Sequence, residues 1–353
     1  MSECPIEPIL RNAWYIAAWG HEVTDKPLAR KLVGEDVVLF RDASGRVGVL
    51  EDRCCHRAAP LSIGSVVEAG LQCGYHGMIF GRDGECTGNP GEEEDRGLYR
   101  VRAFPIVERQ NFVWVWMGDP RLADESTIVD YPFHDAGEEW PFQFGCYRYA
   151  ANFMFVIDNL MDLTHLGYVH GSTIGGFPQS HVDAEMETEA TENGAKFLRW
   201  MMASPPPPSF VAIGGFESPV DRWSDFEYVA PASVLQWGGA LDVGRGAREN
   251  RNQEGGVSLR LFHHATPESE TSCHYFWSVA NRNRAPDSPE GEQFYRDICD
   301  AFLEDKAMIE AQQAAISRDP GRGLHYRRHD EAVALARRAL HRMSAAELRS
   351  AAE

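Results

Sequence analysis

Cys54-Cys55-His56-Arg57 and, further on, Cys73-Gly74-Tyr75-His76-Gly77 are the stretches whose reading decides what this chain is built to hold. Reduced to side chains that bind metals, they read Cys-x-His, a gap of sixteen residues, then Cys-x-x-His. Structural zinc sites of the Cys₂His₂ type favour Cys-x₂₋₄-Cys followed by His-x₃₋₅-His. Here each loop brings one thiol and one imidazole, and Cys-x-His is too tight for most zinc hairpins. The mixed pairing suits a [2Fe–2S] cluster in which one iron takes both sulfurs and the other both imidazoles. Four scattered core residues would have to fall into two liganding pairs by chance. Cys55 competes with Cys54 on paper, yet adjacent side chains in an extended loop point opposite ways. Cys54 and His56 can therefore share one centre while Cys55 faces away.

Around these loops the pattern is short β runs broken by turns. Val37–Phe40 and Val47–Leu50 flank Asp42-Ala43-Ser44-Gly45, a hairpin signal. Met78-Ile79-Phe80 precedes the turn Gly81–Gly84, and Phe112–Trp116 closes the set. Residues 11–19 form an aromatic lead-in expected to pack on this first domain, and 118–140, rich in Asp, Glu and Pro, reads as a linker. The liganding loops thus sit at the tips of a small antiparallel β domain. Beyond it, a helix is expected over Asn152–His170, and a hairpin turns at Glu192–Ala195. Pro205–Pro208 reads as a loop or lid, and Arg245–Gly256 as a mobile loop. Strands are expected at Phe226–Val229, Ser233–Trp237, Val257–His263 and Cys273–Ala280. Helices follow over Ser288–Ile316, with Pro289 in the first turn, and over Glu331–Met343. The fold class is α+β, with domains at 1–125 and 126–353.

The second domain carries its own candidate site. Asn159, Asp162 and His165 recur every three residues as a polar stripe in an apolar segment, and His170 follows. Five steps leave His165 and His170 about 140° apart on an ideal helix, so they share a metal only if the helix ends or loosens between them; Gly167 is placed to allow it. A histidine pair alone also fits a solvated or capping role. In the later helix Phe294, Ile298, Phe302 and Ile309 form an apolar face, with Ala301 and Met308 beside it. Asp305 falls in the middle of that face, whereas Glu304 and Glu310 are expected to point elsewhere. A buried carboxylate needs a cation or strong hydrogen bonds, so Asp305 pairs with either an arginine or a metal. Two His and one Asp with open positions form the facial triad of iron(II) sites that activate O₂.

At these residues the chain resembles the Rieske non-heme iron oxygenases, terminal oxygenase component. Cys54-x-His56 with Cys73-x-x-His76 is similar to the family's cluster motif, and Asn159-x-x-Asp162-x-x-His165-x-x-x-x-His170 to its iron motif. Glu304-Asp305-Lys306 with Ile309–Gln313 resembles the segment bearing its ligand Asp. Length and the Asn12–Tyr15 opening are closest to the group of vanillate O-demethylase, toluenesulfonate methyl-monooxygenase and dicamba O-demethylase. Cys55 stands where many members have Pro, and Met78 where many have Trp. The resemblance implies a Rieske β domain and a helix-grip (START-like) catalytic domain with an antiparallel sheet. It implies a [2Fe–2S] cluster at Cys54, His56, Cys73 and His76, and a mononuclear Fe(2+) at His165, His170 and Asp305. O₂ is then the co-substrate, and a separate NAD(P)H-dependent ferredoxin-type reductase supplies electrons. It also implies a head-to-tail homotrimer in which Asp162 links His165 to a neighbour's His76, with Asp162 and Asn159 as the candidate catalytic residues. The expected reaction is methyl hydroxylation of an aromatic substrate, O-demethylating a methoxyarene carboxylate or hydroxylating an aryl methyl group. Arene cis-dihydroxylation and a non-catalytic Rieske electron carrier are the alternatives. Arg260, His263, His264 and Arg296 are the candidate polar contacts to substrate.

Composition narrows the partners. The 34 basic and 53 acidic residues leave a net charge of −19, which repels nucleic acid and anionic membranes. No apolar run reaches membrane length, the start lacks an export pattern, and eight scattered cysteines read as cytosolic thiols. A cytoplasmic location is the expectation.

Overall fold

Trp14–Trp19 of the aromatic lead-in become a strand because every side chain there finds cover. β1 (Trp14–Trp19) is buried throughout and pairs antiparallel with Phe112–Trp116, itself buried along its length. In this computed structural model, which describes residues 7–249 and 255–350, Ile9–Asp130 and Thr266–Ser269 make one compact unit. Tyr131–Ala265, Glu270 onward and the residues before Ile9 make the other.

The N-terminal unit consists of small antiparallel sheets. β2 (Leu28–Leu32), β3 (Glu35–Arg41) and β4 (Val47–Glu51) form one, in the order of the chain. The β3–β4 turn closes as expected, because the Asp42 carboxylate accepts from the backbone N–H groups of Ser44 and Arg46 at 2.9 and 3.0 Å. β5 (Ser65–Val67), β6 (Gly70–Gln72), β7 (Ile79–Phe80) and β8 (Cys86–Gly88) form a second. β9 (Ile106–Arg109) and β10 (Phe112–Trp116) complete the sheet of β1, in the order β1-β10-β9. Phe40, Leu50, Leu71 and Phe80 share one core with Cys54, Cys73 and Met78. The two liganding loops are thereby anchored from inside.

The C-terminal unit is built on a seven-stranded sheet. β11 (Phe142–Tyr149), within no expected element, is its edge strand and leads into α1 (Phe153–Met161). Asn152 caps α1 by accepting from Met154 N at 3.0 Å, and its buried amide also donates to the Glu270 carbonyl. α2 (Leu166–Val169) and α3 (Pro178–Val182) follow, then the hairpin β12 (Glu185–Thr191) and β13 (Gly194–Ser204). The loop expected at Pro205–Pro208 holds over residues 205–207, and Pro208 instead starts α4 (Pro208–Gly214), where its missing N–H costs nothing. β14 (Val220–Val229), β15 (Ser233–Asp242), β16 (Val257–Ser269) and β17 (Ser272–Asn281) complete the sheet, in the order β11-β17-β16-β15-β14-β13-β12. Residues 250–254 of the expected mobile loop lie outside the described residues.

α5 (Pro289–Arg318) is the long helix the periodicity predicts, capped by Ser288 on Gly291 N. Its face lies on the sheet: the Phe302 ring is 4.9 Å from that of Trp277 and 5.6 Å from that of Tyr275. This is the helix-grip arrangement. Met308 does not belong to that face; it is 59% exposed. α6 (Glu331–Ser350) ends the fold, and its buried Arg337 is paired with Asp158 of α1 and with Glu7. Among the described residues no helix is long and apolar enough to cross a membrane.

Candidate metal centres and substrate pocket

The cluster loops are twins. Cys54 N donates to Ala59 O and Ala58 N to Cys54 O; Cys73 N donates to Met78 O and Gly77 N to Cys73 O. Ala58 and Gly77, each four residues past its cysteine, both have positive φ, 57° and 76°. Gly77 takes this conformation freely, and Ala58 takes it at a steric cost. Both cysteines point into the core, 2% exposed, and the Cys54 thiol is hydrogen-bonded to that of Cys73. Burial and that neighbour push the Cys54 thiol up to about 11, so a buried thiolate pair needs a cation beside it. His56 and His76 are exposed, with ring centroids 4.5 Å apart. Sulfurs inside and imidazoles outside are the donor set that a cluster with one sulfur-bound and one nitrogen-bound iron requires. Cys55 is exposed, away from its buried neighbour.

The second centre assembles from two distant elements. α1 ends at Asp162, whose backbone is extended (φ −129°, ψ 106°), and a single 3₁₀ turn over Leu163–His165 leads into α2. The break expected at Gly167 thus comes before both histidines. Gly167 has a different task, since a Cβ there would meet the Pro178 backbone at 2.3 Å. With the helix broken, His165, His170 and Asp305 each bring a ligand atom within 4.8 Å of the others. Asp305 Oδ1 lies 2.9 Å from His170 Nε2 and 3.5 Å from His165 Nε2, and accepts from Asn159 Nδ2 at 3.0 Å. Its partners are these three, not an arginine.

Supporting bonds aim both Nε2 atoms at the shared centre. His165 Nδ1 donates to the backbone carbonyl of Asp162 at 2.7 Å, and His170 Nδ1 to the Glu304 carboxylate at 2.7 Å. Glu304 therefore does not point elsewhere; it is the second carboxylate of the site. The Asp162 carboxylate is occupied differently from expectation: it accepts from Thr164 N and Oγ1, both at 2.9 Å, and only its carbonyl meets His165. Burial opposes protonation of His170, yet Asp305 and Glu304 outweigh it and raise its pKa. An environment that draws a proton onto a buried imidazole favours a metal cation equally, so the donor set fits iron(II).

Residues 13–105 match the Rieske [2Fe-2S] domain, and 149–346 match the vanillate O-demethylase oxygenase C-terminal domain. The chain belongs to the Rieske non-heme iron oxygenases. The toluene-4-sulfonate monooxygenase system iron-sulfur subunit of Comamonas testosteroni is 38% identical, over 89% of this chain and 90% of its own. The vanillate O-demethylase oxygenase subunit of Pseudomonas sp. (strain HR199 / DSM 7063) is 36% identical, over 97% and 96%. The crystal structure of dicamba monooxygenase bound to dicamba superposes with a TM-score of 0.85 at 32% identity, over 97% of this chain and 99% of that one. As a Rieske oxygenase, the protein uses a [2Fe–2S] cluster and a mononuclear iron, with O₂ as co-substrate.

In this oxygenase an open-mouthed cavity lies between the sheet and α5, and His165 and Asp305 are on its wall. Of the four basic candidates only His263 lines it. Burial lowers the pKa of His263 to about 3, so the ring is neutral: its Nε2 donates to Gln236 Oε1 (3.1 Å) and its Nδ1 accepts from Tyr275 OH (2.7 Å). Strand alternation decides the rest. Leu261 and His263 face the cavity, which turns Arg260 and His264 to the other side of β16. There Arg260 stacks over Trp140 at 4.8 Å, and His264 bonds Ser233 Oγ at 2.8 Å. Arg296 is exposed on α5 and bonds Gln293. Three polar wall residues were not anticipated, Gln236, Ser224 and Arg222. Arg222 precedes the stretch expected as a strand; alternation with Ser224 and Phe226 is the signal that would have found it.

Proposed function

We propose that this oxygenase hydroxylates a methyl group of an aromatic acid, with O-demethylation of a methoxyarene carboxylate as its main reaction. The observation that carries the reading is the His165–His170–Asp305 cluster opening onto a cavity walled mostly by apolar side chains such as Leu261, Ile298 and Phe302. A non-catalytic carrier has no use for such a site. When bound, the cluster relays electrons and the iron activates O₂. The chain's part is positional: the apolar wall holds the arene against the triad and limits water, while Asp162 carbonyl and Glu304 keep both imidazoles aimed. Hydroxylation of a methoxy methyl gives a hemiacetal that collapses to a phenol and formaldehyde; a hydroxylated aryl methyl remains an alcohol. The relative named for toluene-4-sulfonate favours the aryl methyl as the second reading.

Cys54, His56, Cys73 and His76 are read as the cluster ligands, 1–125 as the cluster domain and 126–353 as the catalytic domain, whereas the compact units divide at Asp130/Tyr131 and exchange the residues before Ile9 and Thr266–Ser269. A separate NAD(P)H-dependent reductase is the electron donor, in keeping with relatives named as oxygenase components. A homotrimer in which His76 meets a neighbour's Asp162 has support from both surfaces. Ile63 and Tyr75, 72% and 64% exposed, lie in the stretch around the cysteine loops. Asp162 and His165 line an open depression with Met308, Leu324 and Tyr326, all at least half exposed. The test is turnover of methoxybenzoates, methylbenzoates and toluenesulfonate with a surrogate reductase, reading formaldehyde and alcohol products. Formaldehyde from a methoxybenzoate is expected; cis-diols as the only products would overturn the reading.

A further inference from the structure

The cavity wall carries a charge that the metal chemistry does not use. Arg222 on β14 is 7% exposed and lines the cavity together with the triad. Its Nη1 and Nη2 donate to the backbone carbonyls of Gly175 and Ile174, each at a long 3.3 Å, and its buried Nε has no acceptor. No carboxylate pairs with it among the described residues. The charged group nearest in effect is a second buried cation, Arg199, and burial together with that cation lowers Arg222 only to about 10. It stays charged at neutral pH. A buried guanidinium with five donors, no counter-ion and an unsatisfied Nε is expensive to keep.

Counting charges on the cavity wall gives that expense a purpose. Asp305 is committed to the metal, and His263 is neutral because burial pushes its pKa to about 3. Among the described residues of the wall, Arg222 is then the one cation without an acid to answer it. Register places it well. Arg222 stands opposite Ala240, Ser224 opposite Gly238 and Phe226 opposite Gln236. The guanidinium thus occupies one end of the wall and the neutral Gln236–His263 pair the other. Between them Gly238 leaves space, since a Cβ there would meet only the Gln236 amide, at 3.7 Å. Phe210 lies under the guanidinium, 4.9 Å from its centre to the ring centroid, and fixes its plane.

We infer that Arg222 is the anchor for an anionic substituent of the substrate, a ring carboxylate or sulfonate, and so sets the specificity of this oxygenase for aromatic monoanions. The inference rests on the aromatic-acid reading above and narrows it to one residue. A planar fork with free donors takes two oxygens of such a group at once. A neutral analogue forfeits that pair of bonds and leaves the charge unanswered.

The competing role is a clamp. Arg222 also holds Ile174 and Gly175, just after the candidate ligand His170. A clamp affects every substrate and the iron content alike; an anchor affects only anions. The experiment compares 4-methoxybenzoate, 4-methoxybenzenesulfonate and neutral 4-methoxybenzamide on the iron-loaded oxygenase, by calorimetric binding and by KM and kcat for formaldehyde release. The wild type is expected to prefer at least one anion over the amide by about tenfold or more. Arg222→Met should erase that preference through KM, and Arg222→Lys should retain part of it. The carboxylate and sulfonate arms show which anion the site takes. An equal fall for acid and amide, or iron lost along with binding, makes Arg222 a clamp and overturns the anchor. If Arg222→Met does not fold, the wild type and Arg222→Lys decide. A wild type that demethylates the amide as well as both anions refutes the anchor and leaves the demethylase reading intact. Failure to bind or oxidise any methyl-bearing arene, charged or neutral, sinks both.

Discussion

The two metal centres of this chain are built from opposite materials. The cluster loops gather their four candidate ligands within one short stretch, on twin turns with matching backbone bonds. The thiols join a core and the imidazoles stand in solvent. The candidate iron centre brings His170 to Asp305, 135 residues away, and both are buried. A local site needs only the right loop on a rigid sheet. A long-range site needs a helix broken at Asp162, a second helix laid across a sheet, and supporting bonds to orient each ligand.

That contrast can be broken most decisively at Asp305. Asp305→Ala should abolish turnover and iron at the second site while the visible spectrum of the cluster persists; retained activity would refute the triad. Asp162→Asn comes next. It should keep both metals, because an amide oxygen can still accept from Thr164 N, but it removes the charge that faces buried Arg199 and slows reoxidation of the cluster by O₂ and substrate. Normal single-turnover kinetics would show that the carboxylate carries no coupling. Glu304→Ala takes away the acceptor of His170 Nδ1 and should weaken iron binding about 10- to 100-fold in a metal titration; an unchanged affinity would mean that His170 needs no such support.

A smaller difference separates the units in acid. Burial lowers His264 from the ordinary 6.5 to about 3, whereas His56 and His76 are exposed. Between those two values the unfolded chain binds a proton at His264 that the folded chain refuses, so stability falls as pH falls. The loss from this one group is about 1.4 kcal/mol per pH unit. Melting followed at the C-terminal unit should drop between pH 6 and about 4, and His264→Gln should flatten that drop; an unaltered slope would place the titrating group elsewhere. The smallest effect is expected of Cys55→Ser. Cys55 is exposed and outside the twin pairing, so cluster content and absorption should be unchanged.

The strands of both units and the long capped helix were legible because each rests on local periodicity, and the candidate cluster motif because it rests on local spacing. Asp305 was legible for a related reason: a carboxylate inside an apolar helical face has to be answered by something. The basic pocket candidates were read less well. His263 and His264 are neighbours on one strand and cannot face the same side, a rule the sequence alone supplied. Glu304 was misjudged because helix geometry gives a residue's direction and not its reach to a histidine on another element.

Composition and spacing by themselves pointed to Cys54, His56, Cys73 and His76 as one candidate donor set, since loop-borne ligands a few residues apart have little freedom to do otherwise. They also determined that His165, His170 and Asp305 were the residues to watch. Tertiary structure alone decided how the second set comes together, because its distances depend on where α1 breaks and how α5 lies on the sheet. Alternation sorts each strand's residues onto two faces, but tertiary structure alone decided which face meets the cavity, the one bearing Arg222 on β14 and not the one bearing Arg260 on β16. A side chain's charge is written in the sequence; whether that charge has an acid to meet is settled only by packing.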